Sequence, residues 1–121
     1  NQELLDSCIK GTYKINSKGL IDVMGDVVIT RNHIKSSILE LGRFGKVDGV
    51  FDCSNCGISS LEGSPEYVDG DFVCFNNTNL DSIEGIPKTI EGDLEIKNTG
   101  IIETLEEIRK VCDLQGRLLR L

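Results

Sequence analysis

The sequence predicts an α/β repeat protein: a short solenoid whose parallel strands form a sheet on one face. Three observations predict it. Glycine recurs at Gly25, Gly49, Gly70 and Gly92, in steps of 24, 21 and 22 residues. Two places after each glycine stands an apolar residue (Val27, Phe51, Phe72, Leu94), and two places further another (Ile29, Cys53, Cys74, Ile96). That alternation puts both side chains on one face of a short strand. A third apolar residue closes each segment: Ile34, Ile58, Ile101 and, after a one-residue insertion, Leu80. A unit this small cannot hide its own apolar edge, so units must stack, and at least three are needed.

Residues 2–10 place Leu4, Leu5, Cys8 and Ile9 at helical spacing, with Glu3 early, Lys10 late and Gly11 just beyond, which predicts a short amphipathic helix. Tyr13–Asn16 and Leu20–Val23 flank Ser17-Lys18-Gly19, a predicted hairpin or tight turn. Four repeats follow over 23–101. Between them, Ser-Leu-Glu-Gly at 60–63 and Ser-Ile-Glu-Gly at 82–85 supply an inward Leu or Ile and a glycine suited to positive φ. Pro65 and Pro87 then forbid a regular helix, so the return legs are predicted to be extended or turn-like. Residues 103–112 again have helical spacing, with Leu105, Ile108, Val111 and Cys112 on one face. The tail after it reads either as a degenerate last strand or as part of a cap. The expected organisation is one domain over 1–121: an N-terminal helix and hairpin cap at 1–22, about four repeats over 23–101, and a C-terminal helical cap over 102–121.

The unit apolar-x-apolar-x-x-[Asn/Cys/Thr]-x-apolar resembles the core of a leucine-rich repeat. The wording Val-x-Gly-[Asp/Val]-Phe-x-Cys-x-Asn followed by Ser-[Leu/Ile]-Glu-Gly-x-Pro is similar to short leucine-rich-repeat proteins common in tailed-phage and some bacterial genomes. The likeness covers residues 12–101 and includes Phe44-Gly45-Lys46-Val47. It implies a leucine-rich-repeat solenoid and, by analogy only, ligand binding on the sheet face. The corner residue is Cys56 in one unit and Thr99 in another, so no continuous Asn ladder is expected.

Composition narrows function. Hydrophobic residues make up 39% and charged residues 27%, which is globular composition. The net charge of −7, from 13 basic and 20 acidic residues, argues against direct nucleic-acid binding. No apolar run approaches the roughly 18 residues of a membrane span, and no signal-peptide pattern opens the chain. Five cysteines, an odd number, then favour reduced thiols and a cytoplasmic location, that of the host if the protein is phage-encoded.

Chemistry is sparse. Cys53-Ser54-Asn55-Cys56 is half a zinc site or a redox pair, but both cysteines also fit the repeat, as an inward column residue and a corner residue. His33 has no evident nucleophile or carboxylate beside it, and no nucleophile elbow or phosphate loop is present. No catalytic residue, metal ligand or cofactor is therefore expected.

The outward columns carry the stronger signal. Asp26, Asp48, Asp52, Asp69, Asp71, Glu91, Asp93 and Glu95 make the sheet face acidic, with Phe75 expected as an exposed aromatic among them. The expected function is a non-enzymatic protein-interaction module, such as a phage accessory protein acting on a host factor. Its contact set is Asp48, Asp52, Asp69, Asp71, Phe75, Glu91, Asp93 and Glu95, and its partner is a protein with a basic patch. The alternatives are an acidic nucleic-acid mimic blocking a DNA- or RNA-binding enzyme, a small zinc or redox protein using Cys53 and Cys56, and self-association through strand edges or array ends.

Overall fold

Alternating apolar residues with a glycine every turn produce a stack of kinked strands. The computed structural model describes residues 2–121; Asn1, the first residue of the expected cap, lies outside them. In chain order the elements are α1 (Gln2–Cys8), β1 (Ile9–Ile15), β2 (Ile21–Val28), a 3₁₀ turn at Arg31–His33, β3 (Phe44–Val47), β4 (Phe51–Asp52), β5 (Tyr67–Val68), β6 (Phe72–Val73), β7 (Thr89–Ile90), β8 (Leu94–Glu95), α2 (Leu105–Arg109), β9 (Asp113–Leu114) and β10 (Leu118–Leu119).

One sheet contains all the strands. β2 pairs along one edge with β1, antiparallel over its length, and along the other with β3 and β4, both parallel. From there two parallel ladders run side by side, β3-β5-β7-β9 and β4-β6-β8-β10. Each later rung is thus one strand broken in the middle by its glycine. The result is a parallel-sheet solenoid of about four turns.

The break has a steric cause. The Gly49, Gly70, Gly92 and Gly116 N–H groups each donate to the glycine carbonyl one rung earlier, at 2.9–3.0 Å. A Cβ on Gly70 would lie 2.7 Å from Gly49 O, backbone against backbone, so only glycine permits this approach. The return-leg glycines differ: Gly63 and Gly85 have φ of 95° and 91°, the left-handed turn their tetrapeptides predict.

The core is a set of rows. Val27, Phe51, Phe72, Leu94 and Leu118 are in register from rung to rung. Phe51 stacks on Phe72 with ring centroids 5.5 Å apart, and Phe44 meets Phe51 edge-on at 5.6 Å. Ile29, Cys53, Cys74 and Ile96 form the next buried row, and Val23, Val47, Val68, Ile90 and Leu114 a row upstream of the glycines.

Three sequence expectations are corrected. The first helix stops at Cys8, because Ile9 and Lys10 pair with Val27 and Asp26 and so start the hairpin early. The expected boundary at residue 22 runs through β2, so the hairpin contributes the first rung. The second helix spans only Leu105–Arg109 and lies in the return leg before the last rung, not beyond the array; Val111, expected on its buried face, is 59% exposed. Residues 113–119 add a rung, with Gly116 standing 24 residues after Gly92.

Candidate functional site

The outward side chains form columns across the rungs, spaced by the parallel-strand repeat of about 4.8 Å. Directly after the glycines stand Asp26, Val50, Asp71, Asp93 and Arg117. Their carboxylates belong to the scaffold. Asp26 Oδ1 accepts the Val50 N–H at 2.8 Å, Asp71 Oδ1 that of Asp93 at 2.7 Å, and Asp93 Oδ1 that of Arg117 at 2.8 Å. Asp22 Oδ1 does the same for Lys46 N–H at 2.9 Å. The bend at each glycine turns an amide away from the strand ladder, and a carboxylate one rung earlier satisfies it. Arg117 ends the column with a 3.0 Å ion pair to Asp93. Its side-chain and backbone hydrogen bonds hold the Asp93 carboxyl below the ordinary value.

Val50 interrupts this ladder, since it offers no acceptor to the Asp71 N–H. Val50→Asn restores one without adding charge. A net hydrogen bond of about 1 kcal/mol is expected to raise Tm by roughly 4 °C in a domain of this size. A calorimetric scan showing no gain would mean that the apolar contacts of Val50 outweigh the missing bond.

The column preceding the glycines is different. Asp48, Asp69 and Glu91 are exposed, and Met24 and Gln115 continue the column at either end. Among the described residues the only partner these three acids have is Lys46, 3.7 Å from Asp48 across an exposed gap. On the far side of the kink, Asp52 and Glu95 flank Val73, which is 8% exposed. Asp52 Oδ1 accepts from Ser54 N and Oγ at 2.9 and 2.6 Å. Phe75 is half-buried, not the exposed aromatic expected; it stands in a column between Ser54 and Lys97. Of the acids among the expected contact residues, Asp52, Asp71 and Asp93 are bonded within the fold, Asp48 meets only Lys46, and Asp69, Glu91 and Glu95 have no hydrogen-bond or ion-pair partner among the described residues.

The cysteines are core residues, all five of them buried free thiols. Burial raises every one from the ordinary 9.0: Cys56 and Cys112 to about 11, Cys74 to about 12, Cys8 to a lesser degree and Cys53 far up. Cys56 Sγ donates to Ile29 O at 3.2 Å and Ser54 O at 3.3 Å. The thiolate needed for metal binding or disulfide exchange is thus disfavoured at both ends of the Cys-x-x-Cys. Cys56, Cys74 and Cys112 are expected to resist a thiol reagent at pH 8 by a factor of about 100 or more relative to the denatured chain. The raised values also set an alkaline limit: the unfolded thiols ionise from about pH 9, the native ones do not, so stability is full below pH 9 and falls as the pH rises toward 11–12.

The structure brings Ser7 to His33, a pair hidden in the sequence by its separation. Ser7 Oγ lies 2.8 Å from His33 Nε2. The pair is not a nucleophile and base, however. His33 Nδ1 accepts the Thr30 N–H at 2.9 Å, so the neutral ring carries its proton on Nε2 and donates it to Ser7. Ser7 in turn donates to Leu4 O at 2.7 Å. A base needs a lone pair facing the hydroxyl, and this imidazole offers it a proton instead.

The Asn of the repeat's [Asn/Cys/Thr] corner is Asn77, the single fully buried polar residue among those described. One place before the corner residues stand Asn55, Asn76 and Asn98, which sequence reasoning did not single out; they are in left-handed conformation, with φ of 56°, 57° and 54°, which Asn tolerates better than other side chains. Among the described residues no cluster of His, Cys, Asp and Glu is arranged to hold a metal ion, and no helix is long and apolar enough to cross a membrane. In comparisons with known proteins, no family model, curated protein or solved structure matches the chain.

Proposed function

We propose that this chain is a non-enzymatic protein-interaction module of the leucine-rich-repeat type, which docks a basic patch of a protein partner on its acidic sheet face. Asp48, Asp69 and Glu91 form the centre of the contact, with Asp52, Asp71, Phe75, Asp93 and Glu95 around them. The phage-like wording of the repeats makes a host protein the partner class to try first, in the host cytoplasm.

The observation that carries this reading is the column Asp48, Asp69 and Glu91, which bonds no backbone amide and whose single ion pair, Lys46 to Asp48, is exposed. Like charges about one rung apart repel, which costs stability. Asp71 and Asp93 offset that cost by holding backbone amides in place. Asp48, Asp69 and Glu91 contribute nothing comparable to the fold, so a charged ligand is the natural use for them.

The test is affinity capture with the wild type and with the combined variant Asp48→Lys, Asp69→Lys, Glu91→Lys. These positions make no scaffold bond, so the variant is expected to fold. A partner is expected to be retained at low salt, to be weakened at least tenfold at about 0.5 M salt, and to be lost with the variant. Capture indifferent to all three substitutions would sink the proposed face. Release of the partner by free DNA would move the reading to a nucleic-acid mimic.

A further inference from the structure

Inside the array each rung offers two carbonyls to the next. Val68 O accepts the Glu91 N–H at 2.9 Å, and Gly70 O that of Gly92 at 3.0 Å; one rung on, Ile90 O accepts from Gln115 at 2.9 Å and Gly92 O from Gly116 at 3.0 Å. The equivalent acceptors on the last rung are Leu114 O and Gly116 O. Among the described residues no strand lies beyond β9 and β10. Both acceptors are nevertheless taken. Arg109 Nε donates to Leu114 O at 3.1 Å, and its Nη2 to Gly116 O at 3.2 Å.

We propose that the Arg109 guanidinium stands in for the two amides of a sixth rung, and that it holds shut a strand edge which otherwise pairs with the same edge of a second copy of this chain. The match is chemical as well as positional. Carbonyls two residues apart on a strand point the same way. A guanidinium presents donors in a rigid planar fork, which a lysine does not. α2 places that fork. Thr104 and Glu107 start the helix with a reciprocal cap, Glu107 N–H to Thr104 Oγ1 at 3.1 Å and Thr104 N–H to Glu107 Oε1 at 2.9 Å. Buried Ile108 anchors it one residue before Arg109.

The occupant follows from the edge itself. Leu94 and Ile96 N–H donate into the last rung, to Arg117 O and Leu119 O at 2.8 Å, so Leu118 and Arg120 N–H are the donors which that rung presents next. A strand edge that alternates free N–H and C=O groups pairs with its own copy about a two-fold axis, the usual geometry of a homodimer. At the other end of the stack β1 takes the β2 edge, paired antiparallel from Ile21 to Val27.

Sedimentation velocity on the full chain from about 1 to about 100 µM tests this. The wild type is expected to stay monomeric. Arg109→Ala is expected to shift toward dimer as concentration rises, and Arg109→Lys to do so less. Adding Leu119→Lys, a charge on the exposed edge strand, is expected to return Arg109→Ala to monomer. A wild type that dimerises, an Arg109→Ala protein monomeric throughout, or a dimer indifferent to Leu119→Lys overturns the proposal. A second measurement needs no variant: both Arg109 and Arg43 are exposed, but only Arg109 Nε is hydrogen-bonded, so by NMR its Nε–H is expected to exchange with water at least tenfold more slowly than that of Arg43, and equal rates overturn the proposal as well.

Discussion

Asn77→Ala is expected to lower the free energy of unfolding by about 4 kcal/mol, read from urea denaturation. Asn77 is 1% exposed, and its side chain joins two rungs. Oδ1 accepts from the amides of Cys56, Gly57 and Ile58 at 3.0, 2.9 and 3.3 Å. Nδ2 donates to the carbonyls of Cys53, Cys74 and Phe75 at 3.1, 2.9 and 3.4 Å. Alanine strands all of these in a dry corner, and each buried group left unmet costs about 1–3 kcal/mol, reduced where water enters. Asn77→Asp is expected to cost nearly as much, since it keeps the acceptor but turns a second oxygen toward three carbonyls. Asn77→Thr is expected to cost less. Thr99 occupies this corner one rung later, donating to Ile96 O at 2.8 Å and accepting from Ile101 N at 3.3 Å. A loss below about 1 kcal/mol for Asn77→Ala would mean that the corner does not depend on this side chain. Against a typical total of roughly 5–15 kcal/mol, the expected loss brings the domain near its unfolding limit.

Phe72→Ala is expected to cost about 3–5 kcal/mol, and Phe72→Leu only about 1–1.5 kcal/mol. Phe72 is fully buried, in register with Phe51 on one side and Leu94 on the other, and stacked on the Phe51 ring. Alanine leaves a cavity between two rungs whose spacing is set by backbone hydrogen bonds, so the walls cannot close on it. Leucine already serves in this row as Leu94 and Leu118, hence the smaller loss. Because the two rings touch, the losses of Phe51→Ala and Phe72→Ala are expected not to add, with a coupling of at least about 0.5 kcal/mol. Strict additivity in denaturant titrations of the double variant would show that the rings do not act on each other.

The buried rows are legible in the amino-acid sequence alone. Alternation around each glycine forces Val27, Phe51, Phe72 and Leu94 to one side of a strand, and a repeated glycine keeps them in register. The last member, Leu118, is hidden there. Its rung has Arg117 where three others have an acid, and it follows a helix, so the motif no longer looks like itself, although the spacing from Gly92 to Gly116 equals that from Gly25 to Gly49.

The acidic face is legible as charge and illegible as bonding. Residue types in columns show that eight acids point outward. They do not show that Asp26, Asp71 and Asp93 each reach an amide one rung on, while Asp48, Asp69 and Glu91 reach none. Nor do they show that Phe75 is half-buried.

Local chemistry settled which side of the strand each residue takes, where the chain bends and how often it returns, because periodicity and glycine sterics act between residues close in the chain. The stacking of rungs settled the rest: which carboxylates are spent on the backbone, that Asn77 is a joint and not a surface residue, and that Ser7 meets His33 with the proton on the wrong nitrogen. Those contacts span up to 26 residues, and they form only when the solenoid returns the chain to within one strand spacing of itself.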